Sequence, residues 1–269
     1  MTEAAGAMNE ILLFVAGGLL AGILGGMLGL GGGIILMPLL RFGAGLSPAY
    51  AAGTCVIAVF FTTLGGSYRH FRLGNIRIRP LMPVILSGGI AATVTSMLFV
   101  RFAANGHWID LGIGLVFLLI AVRMLIESIP GDRKKVPRGN EGAAIGGPLV
   151  ARIGIGTAAG ALPGLLGIGT GGILVPAFTF LLRAPVKAAM AASLLCFCVN
   201  ALISSLFKMS QGFIDPAQAV PACVGTFVGA NIGALINGKI PSRALKLVFG
   251  LLFCYVSVKF MASAFGVRG

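Results

Sequence analysis

Residues 11–40 and 153–182 of this chain each run for 30 residues without a charged side chain, and glycine recurs through both. As α-helix, such a stretch would measure about 45 Å at about 1.5 Å per residue. One crossing of a bilayer core needs about 30 Å and two need about 60 Å, so neither count fits. A re-entrant hairpin does. Two half-helices meet at the glycine cluster near the midplane and return to the side they left, a backbone break that survives only where protein or a wet cavity shields it. The rest of the chain agrees with a lipid environment: 57% of residues are hydrophobic, 10% are charged, and the mean hydropathy is +1.01, far outside the soluble range.

The net charge of +13 does not point to nucleic acid. Almost all the lysines and arginines fall between hydrophobic segments rather than on one face, so they read as topology signals and the bilayer as the partner. Cys55, Cys196, Cys198, Cys223 and Cys254 all lie in apolar stretches, where small buried hydrophobes are expected rather than a disulfide framework or a metal site. Glu3 and Glu10 occupy the place of a basic n-region, so the segment from Ile11 is expected to be retained, not cleaved as a signal peptide.

Residues 22–76 overlie residues 160–214 at a constant offset of 138, with sixteen identities and no gap. Chance in so Gly-, Ala- and Leu-rich a composition would give roughly five. Gly26, Gly29, Gly31, Gly33 and Pro38 meet Gly164, Gly167, Gly169, Gly171 and Pro176, and the turn Gly74-Asn75-Ile76 meets Gly212-Phe213-Ile214. The expected fold is an all-α integral membrane protein of two structural repeats. Residues 1–128 form the first, with its hairpin at about 11–42; residues 129–148 are a polar cytoplasmic linker; residues 149–269 form the second, with its hairpin at about 153–182. Three transmembrane helices follow each hairpin, at 49–68, 80–100 and 109–127, then 187–207, 216–237 and 244–265.

Three crossings per half invert the second repeat relative to the first, whereas a hairpin that crossed once would leave the repeats parallel. Loop charge separates the two. With Arg123, Arg152 and Lys259 set aside as lying within segments, inversion puts thirteen Lys and Arg on one side and four on the other, against ten and seven for the parallel arrangement. The larger asymmetry is what the positive-inside rule acts on. Inverted repeats with both termini outside the cytoplasm are therefore expected.

Broken helices in inverted repeats place a substrate near the midplane, with half-helix ends pointing at it. The second arms are expected to begin near Gly31–Gly33 and Gly169–Gly172. There, unpaired backbone N–H groups and the positive end of a helix dipole offer an anion site. Gly29, Gly31, Gly32, Gly33, Gly167, Gly169, Gly171 and Gly172 are thus candidate binding positions, with Thr170 adding a hydroxyl. Gly18 and Gly22 read more simply as helix packing. A dinucleotide loop fails on context, with no strand before the glycines and no acidic residue about 20 positions later.

On the spans that follow, Thr54, Ser193 and Asn200 are the candidate polar contacts. Asn200 is costly in hydrocarbon and should face the interior. Thr62, Thr63, Ser67, Ser204 and Ser205 can satisfy themselves on their own helices. His70 and His107 are expected as solvated loop residues. Asp110, Asp215 and Glu127 fall at segment ends, so no catalytic carboxylate, metal ligand set, cofactor or proton relay is expected.

The doubled glycine motif, the Thr54-Cys55 and Ala192-Ser193 pairs and the Gly74-Asn75-Ile76 and Gly212-Phe213-Ile214-Asp215 turns resemble the sulfite exporter TauE/SafE family of bacterial permeases, over nearly the whole chain. The resemblance implies a permease, not an enzyme, in the bacterial inner membrane, moving a small inorganic or organic anion such as sulfite, a related sulfur oxyanion or an organosulfonate. A passive small-anion channel and a carrier for small carboxylates are the alternatives, and a homo-oligomer is compatible with either. An alkaline-phosphatase fusion placed after Gly269 should be active; an inactive fusion counts against termini outside the cytoplasm.

Overall fold

A computed structural model describes residues 2–72, 74, 76–128, 147–236 and 242–266. All of the expected linker at 129–148 except Gly147 and Pro148, Asn75 of the first turn, and Lys239 and Arg268 of the loop-charge count lie outside the described residues. Every regular element among the described residues is helical: α1 (Thr2–Leu28), α2 (Gly33–Pro38), α3 (Pro48–Arg72), α4 (Met82–Ala103), α5 (Gly106–Ser128), α6 (Leu149–Leu166), α7 (Gly171–Pro176), α8 (Val186–Ser210), α9 (Pro216–Ile236) and α10 (Ser242–Ala264). Seven of them are long and apolar enough to cross a membrane: α1 from Glu10, α3, α4 with its entry turn from Arg79, α5, α6, α8 and α9. Large apolar side chains such as Leu20, Leu86, Ile90, Met97 and Val224 stay exposed along these helices, the surface expected of a chain bathed in lipid.

The offset of 138 is visible in the elements. It carries α2 onto α7, the π-helical turn Leu39–Gly43 onto Ala177–Leu181, and α3 onto α8 with no change of boundary. Pro38 and Pro176 explain the π-turns, because proline withholds a backbone N–H and its ring crowds the carbonyl one turn earlier.

The two charge-free stretches do fold back on themselves, but with unequal arms. The first arms are α1, with 27 residues, and α6, with 18; the returning arms contain six α-helical residues and a five-residue π-turn each. Two half-helices of equal length therefore do not describe either stretch, and the first arms begin earlier than residues 11 and 153. The return is direct: Gly32 packs against the Ala21 carbonyl and Gly17 against Leu39, so α2 and its π-turn run back along α1.

Small residues determine how the long helices meet. Along α1, Gly18, Gly22 and Gly26 face Ala222, Thr226 and Ala230 of α9, while Gly225, Gly229 and Gly233 face Val15, Leu19 and Ile23 in return. Residue numbers rise together, so α1 and α9 are parallel. The same spacing recurs one repeat later, where Gly156, Gly160 and Gly164 of α6 face Val84, Gly88 and Thr95 of α4. Each half thus packs its first arm on a helix of the other half. Such contacts suit lipid, where dispersion and close backbone approach replace the hydrophobic effect between helices.

Across the middle the sense reverses. Gly66 of α3 meets Leu194 of α8 and Gly53 meets Phe213, while Gly114 of α5 meets Met261 of α10 and Gly250 meets Leu125. Ser257 donates to the Gly114 carbonyl at 2.8 Å, and Phe117 packs edge-on to Phe253. These helices, equivalent under the repeat, cross antiparallel.

A pair of substitutions on α6 tests this packing. A β-carbon on Gly160 would lie 1.9 Å from the Gly88 carbonyl oxygen, whereas one on Gly154 meets nothing within 4 Å. Gly160→Ala should destabilise the protein in detergent by about 1–3 kcal/mol through overpacking. Gly154→Ala should be neutral or stabilising by up to about 1 kcal/mol through helix propensity. Thermal unfolding of the two purified variants reads the difference.

Candidate functional site

The two hairpin tips meet each other. Gly31 packs against Phe197 of α8 and Thr63 of α3, near the middle of those 25-residue helices. A β-carbon on Gly171 would lie 2.1 Å from the Gly29 carbonyl oxygen, and one on Gly33 would lie 2.8 Å from the Gly169 nitrogen. Backbone therefore faces backbone across the join, which only glycine at these positions allows. Gly29, Gly31 and Gly32 have φ of +70°, +77° and +72°, so tip 1 turns through three left-handed residues. In tip 2 only Gly167, at +68°, does so. Thr170 stands where tip 1 has Gly32, and its φ of −96° admits a side chain.

A side chain of α8 ties the halves at this join, and one of α3 contacts tip 1 within its own half. Ser193 of α8 donates to the Gly29 carbonyl at 3.2 Å, and its repeat counterpart Cys55 of α3 lies with its Sγ 3.6 Å from the Gly33 carbonyl. Gly169, Gly171, Gly172, Thr170, Ser193 and Asn200 are all buried, as are Gly31, Gly32 and Gly33. An apolar cavity of about 10 Å³ beside Gly25 and Gly32, lined also by Phe249 and Phe253, has room for about one water. The tips are closed in this conformation.

Thr54 lies on α3 between Ala52, against which Gly167 packs, and Cys55 at the join. Its hydroxyl accepts the backbone N–H of Asp215 at 3.4 Å and so fastens the start of α9. Thr62, Thr63, Ser67 and Ser205 bond to carbonyls three or four residues back on their own helices, and Ser96 donates to Ser204 at 3.3 Å.

Asn200 faces the interior and is fully buried against Gly88 of α4; a β-carbon there would be 2.9 Å from both of its amide atoms. Neither Asn200 Nδ2 nor Oδ1 has a hydrogen-bond partner, and neither does the buried Thr170 hydroxyl. Their repeat counterparts differ: Gly32 has no side chain, and Thr62 donates to the Ala58 carbonyl at 3.0 Å. Of these two repeat-related pairs, the open hydrogen-bonding capacity lies on the second half.

Two buried basic residues went unanticipated. Lys208, in the last turns of α8, is fully buried, with Nζ donating to the Pro163 carbonyl at 3.0 Å and to Gly164, and lying 4.1 Å from the centre of the Phe99 ring. The ammonium caps the final carbonyls of α6, where the helix dipole is negative, and so steadies tip 2. Under the repeat offset Lys208 overlies His70, and His70 is buried within α3 rather than solvated in a loop. A basic residue at the same place in both halves was the available signal. His107 is exposed in the first turn of α5, so it is helical too.

Further cations hold the returning arms. Arg123 of α5 donates to the Gly172 carbonyl at 2.6 Å, beneath an outward-facing groove formed with Leu119, Val122, Ile126 and Phe180. Arg41, in the π-turn of the first hairpin, pairs with the buried Asp110 at 2.9 Å, and Ser263 of α10 donates to the same carboxylate at 2.9 Å. No group of three His, Cys, Asp or Glu suited to a metal ion occurs among the described residues.

Comparison with known proteins agrees with the helical, lipid-exposed architecture. The model of the family described as Sulfite exporter TauE/SafE matches residues 14–260. A probable membrane transporter protein of Bacillus subtilis, YunE, is 25% identical over 264 residues, covering 93% of this chain and 96% of its own length. One from Haemophilus influenzae is 28% identical over 273 residues, covering 92% and 97%. The Sulfite exporter TauE/SafE family protein 1 of Arabidopsis thaliana is 38% identical over a shorter run of 73 residues, covering 27% of this chain and 16% of that one. No solved structure matches.

Replacing Lys208 by Met should remove the donor from two buried carbonyls of α6 while keeping most of the volume. A loss of about 1.5–3 kcal/mol in stability is expected, the range for hydrogen bonds to charged groups. Thermal unfolding in detergent measures it, and Lys208→Arg should recover only part, since a planar fork is a poor substitute for a compact ammonium.

Proposed function

We propose, from the premise that the chain belongs to the sulfite exporter TauE/SafE family, that this membrane transporter moves a small anion through the join between its two hairpin tips. The observation that carries the reading is the backbone-to-backbone meeting of Gly29–Gly33 with Gly167–Gly172 near the middle of α3 and α8. Two halves that touch at such a point can rock against one another and expose it to either side in turn, the usual way that repeats joined at broken helices give alternating access.

The repeats in this reading are inverted. The antiparallel crossings of α3 with α8 and of α5 with α10 support it, since a two-fold axis lying in the membrane plane relates helices of opposite sense. With the excess of Lys and Arg placed in the cytoplasm, both termini then lie outside, and the linker after α5 is cytoplasmic. The bacterial inner membrane is the location that follows from the bacterial relatives and the charge asymmetry.

Sulfite is the leading cargo, with other sulfur oxyanions and organosulfonates as its chemical neighbours. Lys208 and Arg123 favour an anion in the second half, because each brings a cation to a carbonyl of tip 2 or of the arm leading to it. Among the glycines, Gly29, Gly31, Gly32, Gly33, Gly167, Gly169, Gly171 and Gly172 let the cargo approach the backbone; Thr170, Ser193 and Asn200 supply side-chain contacts. Thr54 acts at one remove, by fastening α9.

Purified protein in proteoliposomes should take up radiolabelled sulfite saturably, and Gly33→Val, whose side chain would strike Val59 and the tip-2 backbone, should abolish uptake. Absence of flux for sulfite, sulfonates and small carboxylates alike would falsify the transport reading. Unitary currents in a planar bilayer would replace the carrier by a channel.

A further inference from the structure

Among the buried polar atoms of the second half that have no partner are Thr170 Oγ1, Asn200 Nδ2 and Asn200 Oδ1. Both residues are fully buried. Because both atoms of the Asn200 amide are open, exchanging its oxygen and nitrogen leaves the same capacity, two N–H donors and one carbonyl acceptor. Thr170 adds a hydroxyl that can donate or accept. Their repeat counterparts, Gly32 and Thr62, touch each other, with a β-carbon on Gly32 falling 3.4 Å from Thr62 Cγ2. Under the offset of 138, Thr170 and Asn200 take the corresponding places on tip 2 and α8, with polar groups where the first half has that contact.

A ligand that carries only acceptors satisfies the amide N–H groups and leaves Asn200 Oδ1 stranded, since the Thr170 hydroxyl makes no bond to it. From this we infer, resting on the transport reading above, that Asn200 and Thr170 select an anion that also bears a hydrogen-bond donor, and that for sulfite the transported species is the singly charged hydrogensulfite rather than the dianion. A buried acceptor without a partner costs the full desolvation of that group, which makes discrimination of about tenfold or more the natural expectation.

The charged and titratable groups around this position do not supply the missing donor. Lys208, two turns along α8 from Asn200, spends its protons on Pro163 and Gly164. Arg123 of α5 holds the Gly172 carbonyl. Cys196 and Cys198 share α8, and Cys55 on α3 is directed to the Gly33 carbonyl. On the described part of the neighbouring helices, Arg152 lies in the first turn of α6, donating to Gly147, Arg101 is exposed in the last turn of α4, and α7 carries no titratable residue.

Sulfite uptake into proteoliposomes at constant total sulfite should fall with rising pH in step with the hydrogensulfite fraction, approaching about tenfold per pH unit once the dianion dominates. To separate the cargo's protonation from that of the protein, 2-hydroxyethanesulfonate and ethanesulfonate serve as competitors at one pH. Both are fully ionised, and they differ by one hydroxyl. The hydroxylated anion should inhibit sulfite uptake at least about tenfold more strongly, and Asn200→Leu should erase that preference.

The same variant should melt no lower than the native protein, because exchanging an unpartnered buried amide for an apolar group of similar shape relieves a desolvation cost. Uptake that follows the dianion, equal competition by the two sulfonates, or a marked loss of stability in Asn200→Leu overturns the selection while leaving sulfite transport standing. No sulfite uptake by the native protein at any pH removes the transport reading itself, and this inference with it.

Discussion

The structure depends on how closely two backbones can approach in a medium that offers no water to compete for their hydrogen bonds. Where side chains are absent, helices in lipid gain dispersion contact along their whole length. Gly18, Gly22 and Gly26 use this against α9, and Gly156, Gly160 and Gly164 use it against α4. These seams cross between the halves, so the first arm of each hairpin is held by the opposite half. The tips are delivered to a common point as a result, and the glycines there let one backbone rest on the other.

That arrangement explains why the hairpin arms are unequal. A first arm that is to lie along a full-length partner must itself be nearly full length, and α1 and α6 are. The returning arm has only to bring the chain back to the start of α3 or α8, and a proline one turn into it converts the rest to a π-turn. Its helix is then too short for a dipole to dominate the chemistry at its N-terminus. Side chains, more than the helix end, give the join its polarity.

Much of this was legible in the sequence. The length of the two uncharged stretches pointed to a fold-back in each, but it did not show that the first arms, α1 and α6, are themselves long and apolar enough to cross a membrane. The repeat offset located the equivalent helices within a few residues, and the places of Ser193, Asn200 and the tip glycines followed from it. What could not be read was which first arm packs on which helix, because a pattern of glycines four apart marks a face without naming its partner. Thr54 illustrates the same limit: a hydroxyl on a plausible face turned out to fasten Asp215. Lys208 was hidden by hydropathy, which treats a lysine near a helix end as an interfacial residue even when carbonyls and an aromatic ring receive it inside the protein.

A duplicated chain starts with two equivalent tips, and selection for one cargo need not preserve both. Here tip 1 keeps three left-handed glycines and its neighbour Thr62 bonds to its own helix, so its surface is finished without a ligand. Tip 2 has one left-handed glycine and a threonine in ordinary backbone geometry, with an asparagine behind it that the protein leaves unbonded. The Arg41–Asp110 pair braces the first returning arm, where the second has Thr179 bonded to Val175 on its own turn. Open polarity is thereby concentrated on the second half, whose tip and returning arm are held in turn by Lys208 and Arg123. In the alternating mechanism proposed above, an ion released from water would meet the dipoles of that half while the opposing surface moves past without binding it.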